Sequence, residues 1–103
     1  MHSQIEDYLK GKSLLITGAS GYLASNLANS LKKIPCKIRR LSRKNKLNSL
    51  EGNAAFENIQ GEISDRTLWD RAIEGVDIIF HFAGQTSVYV AEKDPVIDYE
   101  ANV

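Results

Sequence analysis

The sequence is poor in the residues that build disulfide or metal scaffolds. Its 103 residues include one cysteine and two histidines. A lone thiol at Cys36 cannot form an internal disulfide, and it excludes a cysteine-rich zinc site. His2 and His81 lie far apart with no cluster of other ligands, so the sequence predicts no metal site. A small buried or half-buried thiol in a reducing compartment accounts for Cys36.

Long apolar runs and an excess of either charge are also missing. Lys and Arg together number 13, as do Asp and Glu, so the formal net charge is zero. The electrostatic signature of a nucleic-acid partner is therefore absent. No segment approaches the roughly 20 apolar residues of a membrane span, and residues 1–12 lack the apolar core of a signal peptide. We expect a cytoplasmic protein with neither a nucleic-acid nor a membrane partner.

What the sequence does contain is an alternation of apolar runs with helical periodicity. The run SLLIT (13–17) predicts a strand buried on both faces. Apolar residues then recur at helical spacing over 22–34, and Pro35 stops that helix. Further predicted elements are strands over 36–42, 55–61 and 76–84, and helices over 64–75 and 94–103. The order β-α-β-β-α-β-α predicts an α/β fold, a Rossmann-type doubly wound parallel sheet, truncated to about four strands with flanking helices.

The length of the chain indicates one small domain with a short extension. We assign residues 1–11 to an N-terminal extension and residues 12–103 to the α/β half-domain. Because the last predicted helix runs to Val103, and domains rarely stop inside a helix, we expect the chain to be a fragment of a longer enzyme.

A run of small residues joins the first strand to the first helix. In Gly18-x-x-Gly21-x-x-Ala24, Gly18 allows a sharp turn, Gly21 lets a pyrophosphate approach the backbone, and Ala24 lets the helix pack closely. The unpaired amides and dipole of the helix start favour an anion, and Ser20 and Tyr22 can add contacts. In this position the spacing predicts a dinucleotide-binding site, and the bland alternative is a tight turn. No Gly-Lys-Ser/Thr follows, which excludes a Walker A loop.

The end of the second strand bears on the choice of cofactor. Ser42 and Arg43 stand about 20 residues after the glycine loop, where an acidic residue would bind a free ribose 2′-hydroxyl. The planar guanidinium of Arg43 is instead suited to a 2′-phosphate. We therefore predict NADP, with NAD as the alternative. A solvated basic surface over 37–46 is the competing interpretation.

Four separated motifs resemble one protein family. TGASGYLA (17–24), GEISD (61–65), GVDIIFHFAGQTSV (75–88) and DPVIDYEANV (94–103) occur in the order and spacing of the extended short-chain dehydrogenase/reductases. They are most similar to the N-terminal part of the NAD-dependent epimerase/dehydratases that act on nucleotide sugars. The resemblance covers roughly residues 12 to 103. For the full-length protein it implies a nucleotide-sugar epimerase or 4,6-dehydratase that works by hydride transfer at the sugar. It also implies that the full-length protein can form a homodimer.

The resemblance also implies roles for individual residues. Those expected at the pyrophosphate are Gly18, Ser20, Gly21, Tyr22 and Leu23. Glu62 stands where the family usually has an Asp that bonds the adenine amino group, and Ile63 would lie against adenine. The residues expected beside the ribose and nicotinamide are Phe82, Ala83 and Gly84. Those expected to approach the sugar substrate are Gln85, Thr86 and Ser87.

One residue pair matches the letters of the family's catalytic pair but not its place. Tyr89 and Lys93 precede Pro95, in the predicted loop that leaves the fourth strand. In the family, the catalytic tyrosine and lysine lie on a long helix after the fifth strand. The resemblance thus implies that the catalytic residues lie beyond residue 103 and that this chain alone is inactive. His81 is interpreted as a satisfied buried histidine.

Two other functions stay open at this point. The basic strand end RRLSRK (39–44) favours an NADPH-dependent carbonyl reductase of the same extended family. A non-catalytic module that senses or binds NADP is the alternative from another class, and it would need no Tyr/Lys pair after residue 103.

Overall fold

The fold is a single six-stranded sheet with helices on its faces. The structure, a computed structural model, describes residues 3–43, 47, 49–82, 87–92 and 98–102. Its helices are α1 (Ser3–Leu9), α2 (Tyr22–Leu31) and α3 (Arg66–Ile73). Its strands are β1 (Ser13–Thr17), β2 (Lys37–Ser42), β3 (Ala55–Gln60), β4 (Ile78–Phe82), β5 (Ser87–Glu92) and β6 (Asp98–Asn102).

The sheet is parallel over its first four strands. Its order is β3-β2-β1-β4-β5-β6, and the pairs β1–β2, β1–β4 and β2–β3 are parallel. The chain winds outward from β1 to β3, then returns to the other side of β1 at β4. This arrangement confirms the predicted α/β class and the truncated Rossmann-like architecture.

The strand β1 shows why the helices occupy opposite faces. Leu14 and Ile16 point to one side and belong to the core cluster that includes Ala28 of α2. Leu15 points to the other side and packs in the cluster that includes Ala72 of α3. All three β1 side chains are at most 1% exposed, and burying each contributes about 1.5–3 kcal/mol. A continuous apolar run is therefore what a strand covered on both faces requires.

The last part of the chain differs from the prediction. The helix predicted over 94–103 is wrong, because Asp98–Asn102 forms β6, antiparallel to β5. The expected loop after β4 is also wrong at Ser87–Glu92, which forms β5 antiparallel to β4. Val, Tyr and Val in SVYVAE favour a strand, and β5 in turn supplies hydrogen-bond partners for β6. Tyr89 consequently lies in β5, whereas Lys93 lies outside the described residues.

The N-terminal extension contains a helix that packs on the domain. Leu9, at the end of α1, is 5% exposed and joins the core cluster on the α2 side of the sheet. The Gly11 amide donates to the Pro35 carbonyl at 3.0 Å, which ties the extension to the segment before β2. Gly11 adopts φ of 75°, a left-handed conformation that suits glycine. Among the described residues, no helix has the length and apolar character needed to cross a membrane.

Candidate functional site

A cleft of about 760 Å³ opens at the carboxyl ends of β1, β2 and β4. Its volume falls in the range of about 300–1,000 Å³ that small-molecule sites occupy. The chain leaves β1 toward β2 on one side, and β4 lies on the other side of β1. Open α/β sheets bind their ligands at such a reversal of strand order.

The cleft brings together the residues that the sequence analysis singled out. The predicted cofactor residues that line it are Gly18, Ser20, Gly21, Tyr22, Leu23, Ser42, Arg43, Glu62, Ile63 and Phe82. The remaining predicted cofactor residues, Ala83 and Gly84, lie outside the described residues, as do the predicted substrate residues Gln85 and Thr86. Ser87 is the first residue of β5. The structure therefore places the described members of the predicted cofactor site in one cleft. That this cleft binds a cofactor remains a prediction.

Sequence reasoning did not assign every residue of the cleft wall to it. The additional lining residues are Thr17, Ala24, Leu41, Gly61 and His81. Ala24 was expected only to pack the helix, and His81 only to be buried. Thr17, Leu41 and His81 lie at or next to the carboxyl ends of β1, β2 and β4, so strand position was the signal that could have found them.

The glycine loop is fixed by backbone hydrogen bonds at both sides of its turn. The Gly21 amide donates to the Gly18 carbonyl at 3.0 Å, and the Ala19 amide donates to the Leu41 carbonyl of β2 at 3.1 Å. Gly18 adopts φ of 64°, and a Cβ there would lie 3.1 Å from the Phe82 carbonyl oxygen. Gly18 is therefore required by its own conformation and by the close passage of β4.

Gly21 has a different reason to be glycine. Its φ of −71° and ψ of 160° are open to any residue. A Cβ there would meet only the Gly18 carbonyl oxygen, at 3.3 Å, so a small shift would accommodate it. Neither conformation nor severe crowding demands glycine at this position. The backbone at Gly21 is therefore open to close approach from the cleft, which is what a dinucleotide pyrophosphate needs.

The start of α2 presents backbone donors beside Gly21. The first helical bond runs from the Ser25 amide to the Gly21 carbonyl at 2.9 Å. The amides of Tyr22, Leu23 and Ala24 precede that bond, so the helix contains no acceptor for them. Gly21 occupies the N-cap position and has no side chain that could accept from them. Together with the helix dipole, these amides make the loop suited to an anion.

Arg43 and Glu62 face each other at the mouth of the cleft. Arg43 Nη1 lies 3.9 Å from Glu62 Oε1, and the two side chains are 79% and 61% exposed. An ion pair this long and this exposed contributes about 0–1 kcal/mol at most. Both groups are therefore able to exchange their mutual contact for one with a ligand. Ser42, by contrast, is buried in the wall.

A hydrogen-bonded pair joins β1 and β4 at the base of the cleft. Thr17 Oγ1 and His81 Nδ1 are 2.6 Å apart, and the two residues are register partners in the parallel ladder. Burial lowers the pKa of His81 below its ordinary value, which favours the neutral imidazole. The hydrogen bond agrees with the prediction of a satisfied histidine, whereas His81 is half-buried and not fully buried as expected.

Comparison with known proteins identifies the family of the chain. The sequence model of the NAD-dependent epimerase/dehydratase family matches residues 14–103. An uncharacterized membrane protein of Methanocaldococcus jannaschii is 32% identical over all of this chain and 32% of its own length.

Two relatives have named activities. A trifunctional UDP-glucose 4,6-dehydratase/UDP-4-keto-6-deoxy-D-glucose 3,5-epimerase/UDP-4-keto-L-rhamnose-reductase of Arabidopsis thaliana is 34% identical over 75% of this chain and 13% of its own. The CDP-paratose 2-epimerase of Salmonella typhi is 35% identical over 87% of this chain and 29% of its own. The chain thus spans about a third or less of the length of these relatives. Since the family match extends over nearly the whole chain, the protein belongs to the NAD-dependent epimerase/dehydratase family.

Proposed function

We propose that the cleft binds a nicotinamide dinucleotide and that the chain is the cofactor-binding part of a nucleotide-sugar epimerase or 4,6-dehydratase. One observation carries the proposal. Gly21 is glycine where neither its backbone nor its neighbours require it, and it lies beside the unpaired amides of α2. A pyrophosphate accounts for both features at once, because it needs close backbone approach and several donors.

The proposed cofactor lies across the carboxyl ends of the strands. The loop Gly18–Gly21 and the amides of Tyr22 and Leu23 hold its pyrophosphate. Glu62 and Ile63, which follow β3, bind its adenine. Phe82 and the adjoining Ala83 and Gly84 receive its ribose and nicotinamide. The described residues of this set that line the cleft are Gly18, Ser20, Gly21, Tyr22, Leu23, Glu62, Ile63 and Phe82.

The residues at the end of β2 support NADP rather than NAD. Ser42 and Arg43 occupy the place of the acidic residue that binds a free 2′-hydroxyl. Arg43 is exposed at the cleft mouth and only loosely paired with Glu62. A 2′-phosphate would offer Arg43 a stronger, charge-assisted partner than the 3.9 Å contact does. We therefore propose NADP, and NAD is the alternative that the titration below distinguishes.

The family and the relatives named above support the reaction that we propose for the whole protein. Two of those relatives act on UDP- and CDP-sugars by name, which supports a nucleotide-sugar substrate near Gln85, Thr86 and Ser87. When bound, the nicotinamide supplies the hydride chemistry, and the residues of this chain bind and orient it. We propose that the catalytic residues lie outside this chain, that the chain alone is inactive, and that the complete enzyme is cytoplasmic and able to form a homodimer.

Calorimetric titration of the chain with NADP, NADPH, NAD and NADH tests the proposal. We expect binding of all four in a single site, with the phosphorylated pair tighter by about tenfold because of Arg43. Absence of heat with every dinucleotide, together with unchanged amide spectra, would overturn it. Equal affinities would retain dinucleotide binding and remove the preference for NADP, and tighter binding of NAD and NADH would replace NADP with NAD.

A second function is favoured by the same arginine. Arg43 at the cleft mouth suits an NADPH-dependent carbonyl reductase of the extended family as well as a sugar-modifying enzyme. Turnover by the full-length protein separates the two. Conversion of UDP-, CDP-, GDP- or dTDP-sugars supports the first, and NADPH oxidation with small carbonyl compounds alone supports the second. Dinucleotide binding without either turnover would instead favour a non-catalytic binding module.

A further inference from the structure

Ser25, in the first turn of α2, donates two hydrogen bonds to carbonyl groups of the glycine loop. Its hydroxyl donates to the Ala19 carbonyl at 3.3 Å, and its amide donates to the Gly21 carbonyl at 2.9 Å. Two of the loop's carbonyl groups are thereby directed toward the helix. Ser25 itself does not line the cleft, so sequence motifs for ligand contact do not point to it.

The hydroxyl bond determines where the next amide points. A peptide unit is planar and trans, so its N–H points opposite to its C=O. With the Ala19 carbonyl directed toward Ser25, the Ser20 amide is directed away from the body of α2. Ala19 is 2% exposed, whereas Ser20 is exposed and lines the cleft. The Ser20 amide therefore faces the side on which the ligand would lie.

The neighbouring peptides of the loop are held by backbone alone. The Ala19 amide donates to the Leu41 carbonyl, and the Gly21 amide donates to the Gly18 carbonyl. Among the described residues, the peptide between Ala19 and Ser20 is the loop peptide whose orientation depends on a side-chain hydroxyl. Losing that hydroxyl would free this peptide to turn its carbonyl toward the cleft, where it would repel a phosphate.

We propose that Ser25 is a positioning residue for the dinucleotide: it fixes the Ala19–Ser20 peptide so that its amide, and not its carbonyl, meets the pyrophosphate. The inference rests on the proposed function, since it assumes a pyrophosphate at the loop. It adds one donor from the loop to the amides at the start of α2. The hydrogen bond from Ser25 does not affect binding of the adenosine part of the ligand.

Ser25→Ala tests the inference, and Ser30→Ala is its matched control. Ser30 lies in the same helix but is exposed and away from the loop. Binding is measured by amide NMR with two probes: ADP-ribose, which contains the pyrophosphate, and adenosine, which lacks it. We expect Ser25→Ala to weaken ADP-ribose by about 3- to 10-fold, as the loss of one hydrogen bond predicts, and to leave the affinity for adenosine unchanged. Because the lost bond also lowers the melting temperature slightly, affinities are compared at a temperature where both proteins are folded. Ser25→Thr, which keeps the hydroxyl, restores the affinity.

The Ser20 amide resonance gives a readout that a merely structural role would not move. We expect it to shift downfield with ADP-ribose in the parent chain, and we expect Ser25→Ala to lose that shift while the Tyr22 and Leu23 amides still respond. Unchanged affinity and an unchanged Ser20 shift would overturn the inference, as would equal losses for both probes. If Ser25→Ala unfolds, Ser25→Cys gives the same comparison with a weaker donor of similar size. Failure of the parent chain to bind ADP-ribose would instead overturn the proposed function.

Discussion

The two ends of α2 are completed in opposite ways. At its C-terminal end, the chain satisfies the helix itself: the Ala54 amide donates to the Lys32 carbonyl at 3.0 Å, and Asn53 Nδ2 donates to the Lys33 carbonyl at 2.9 Å. At its N-terminal end, the residues of the first turn line a cleft of about 760 Å³, and Gly21 offers their amides no side chain. One end is therefore completed by the protein itself, and the other is open to the cleft.

The glycines near the two ends of α2 differ in the same way. A Cβ on Gly52 would meet the Lys32 carbonyl oxygen at 2.3 Å, so glycine there lets two backbone segments touch. A Cβ on Gly21 would meet one oxygen at 3.3 Å and otherwise open space. Gly52 is therefore explained by the fold. No comparable backbone overlap accounts for Gly21; under the proposed function a ligand in the cleft does, and substitutions should separate the two roles.

Gly21→Val should have the largest effect on binding. The branched side chain would occupy the space where the proposed pyrophosphate meets the backbone. We expect NADP affinity to fall at least about 100-fold, a loss of about 2.7 kcal/mol, with a melting temperature close to that of the parent. Calorimetry and thermal melts measure the two quantities. Gly21→Ala is the graded control and should lose less affinity; equal affinity of Gly21→Val and the parent would refute the pyrophosphate site.

Gly52→Ala should do the reverse. The added methyl group overlaps a backbone carbonyl that cannot move without the end of α2, and such overpacking costs about 1–3 kcal/mol. Urea unfolding should show this loss in the free energy of unfolding, while NADP affinity of the folded protein stays unchanged. Asn53→Ala, which removes one hydrogen bond at the same end, should cost about 0.5–1.5 kcal/mol. A fall in affinity without a fall in stability would mean that the two ends are not independent.

The same distinction explains how much the sequence could predict. The glycine loop was predictable because its turn, its helix and its spacing are local. Arg43 was predictable from its distance along the chain, because β2 has a typical length. The parallel part of the sheet followed from the alternation of apolar runs and helical patterns.

What the sequence did not predict depends on pairing between distant segments. Residues 98–102 adopt a strand because β5 lies beside them, with Val90 opposite Tyr99, and no local pattern contains that neighbour. The bond between Thr17 and His81 likewise needs the register of β1 against β4. The approach of Glu62 to Arg43 needs β3 beside β2. Local patterns thus identified many of the residues that line the cleft, and register decides which of them face each other.

Arg43→Ala tests the contribution of one side chain at the mouth of the cleft. Because Arg43 is largely exposed, its bond to a 2′-phosphate belongs at the weaker end for charged groups, about 1.5 kcal/mol or roughly tenfold in affinity. We expect that loss for NADP and little change for NAD, measured by calorimetry. Glu62→Gln is the control: removing the carboxylate 3.9 Å from Arg43 should leave NADP affinity equal or higher. Parallel losses for NADP and NAD in Arg43→Ala would count against a 2′-phosphate contact.

The smallest expected effect is the contribution of His81 to the pH dependence of the free energy of unfolding. Burial lowers its pKa in the folded protein, so the unfolded chain, with the ordinary histidine pKa of about 6.5, takes up the proton first. Acidification therefore favours unfolding: the contribution of neutral His81 to stability is complete above pH 6.5 and is lost as the pH falls from there toward the folded pKa. His81→Gln removes this proton uptake.

Urea unfolding of both proteins between pH 7.5 and 5.5 measures the difference. The free energy of unfolding should fall more steeply with acid in the parent than in His81→Gln, whatever the offset between them at pH 7.5, because glutamine does not titrate. Thr17→Val, which removes the hydroxyl 2.6 Å from His81 Nδ1, should lower stability but retain the parent's sign of pH dependence. Parallel curves for the parent and His81→Gln would show that the imidazole titrates alike in the folded and unfolded chain, and that the base of the cleft is not shielded from solvent.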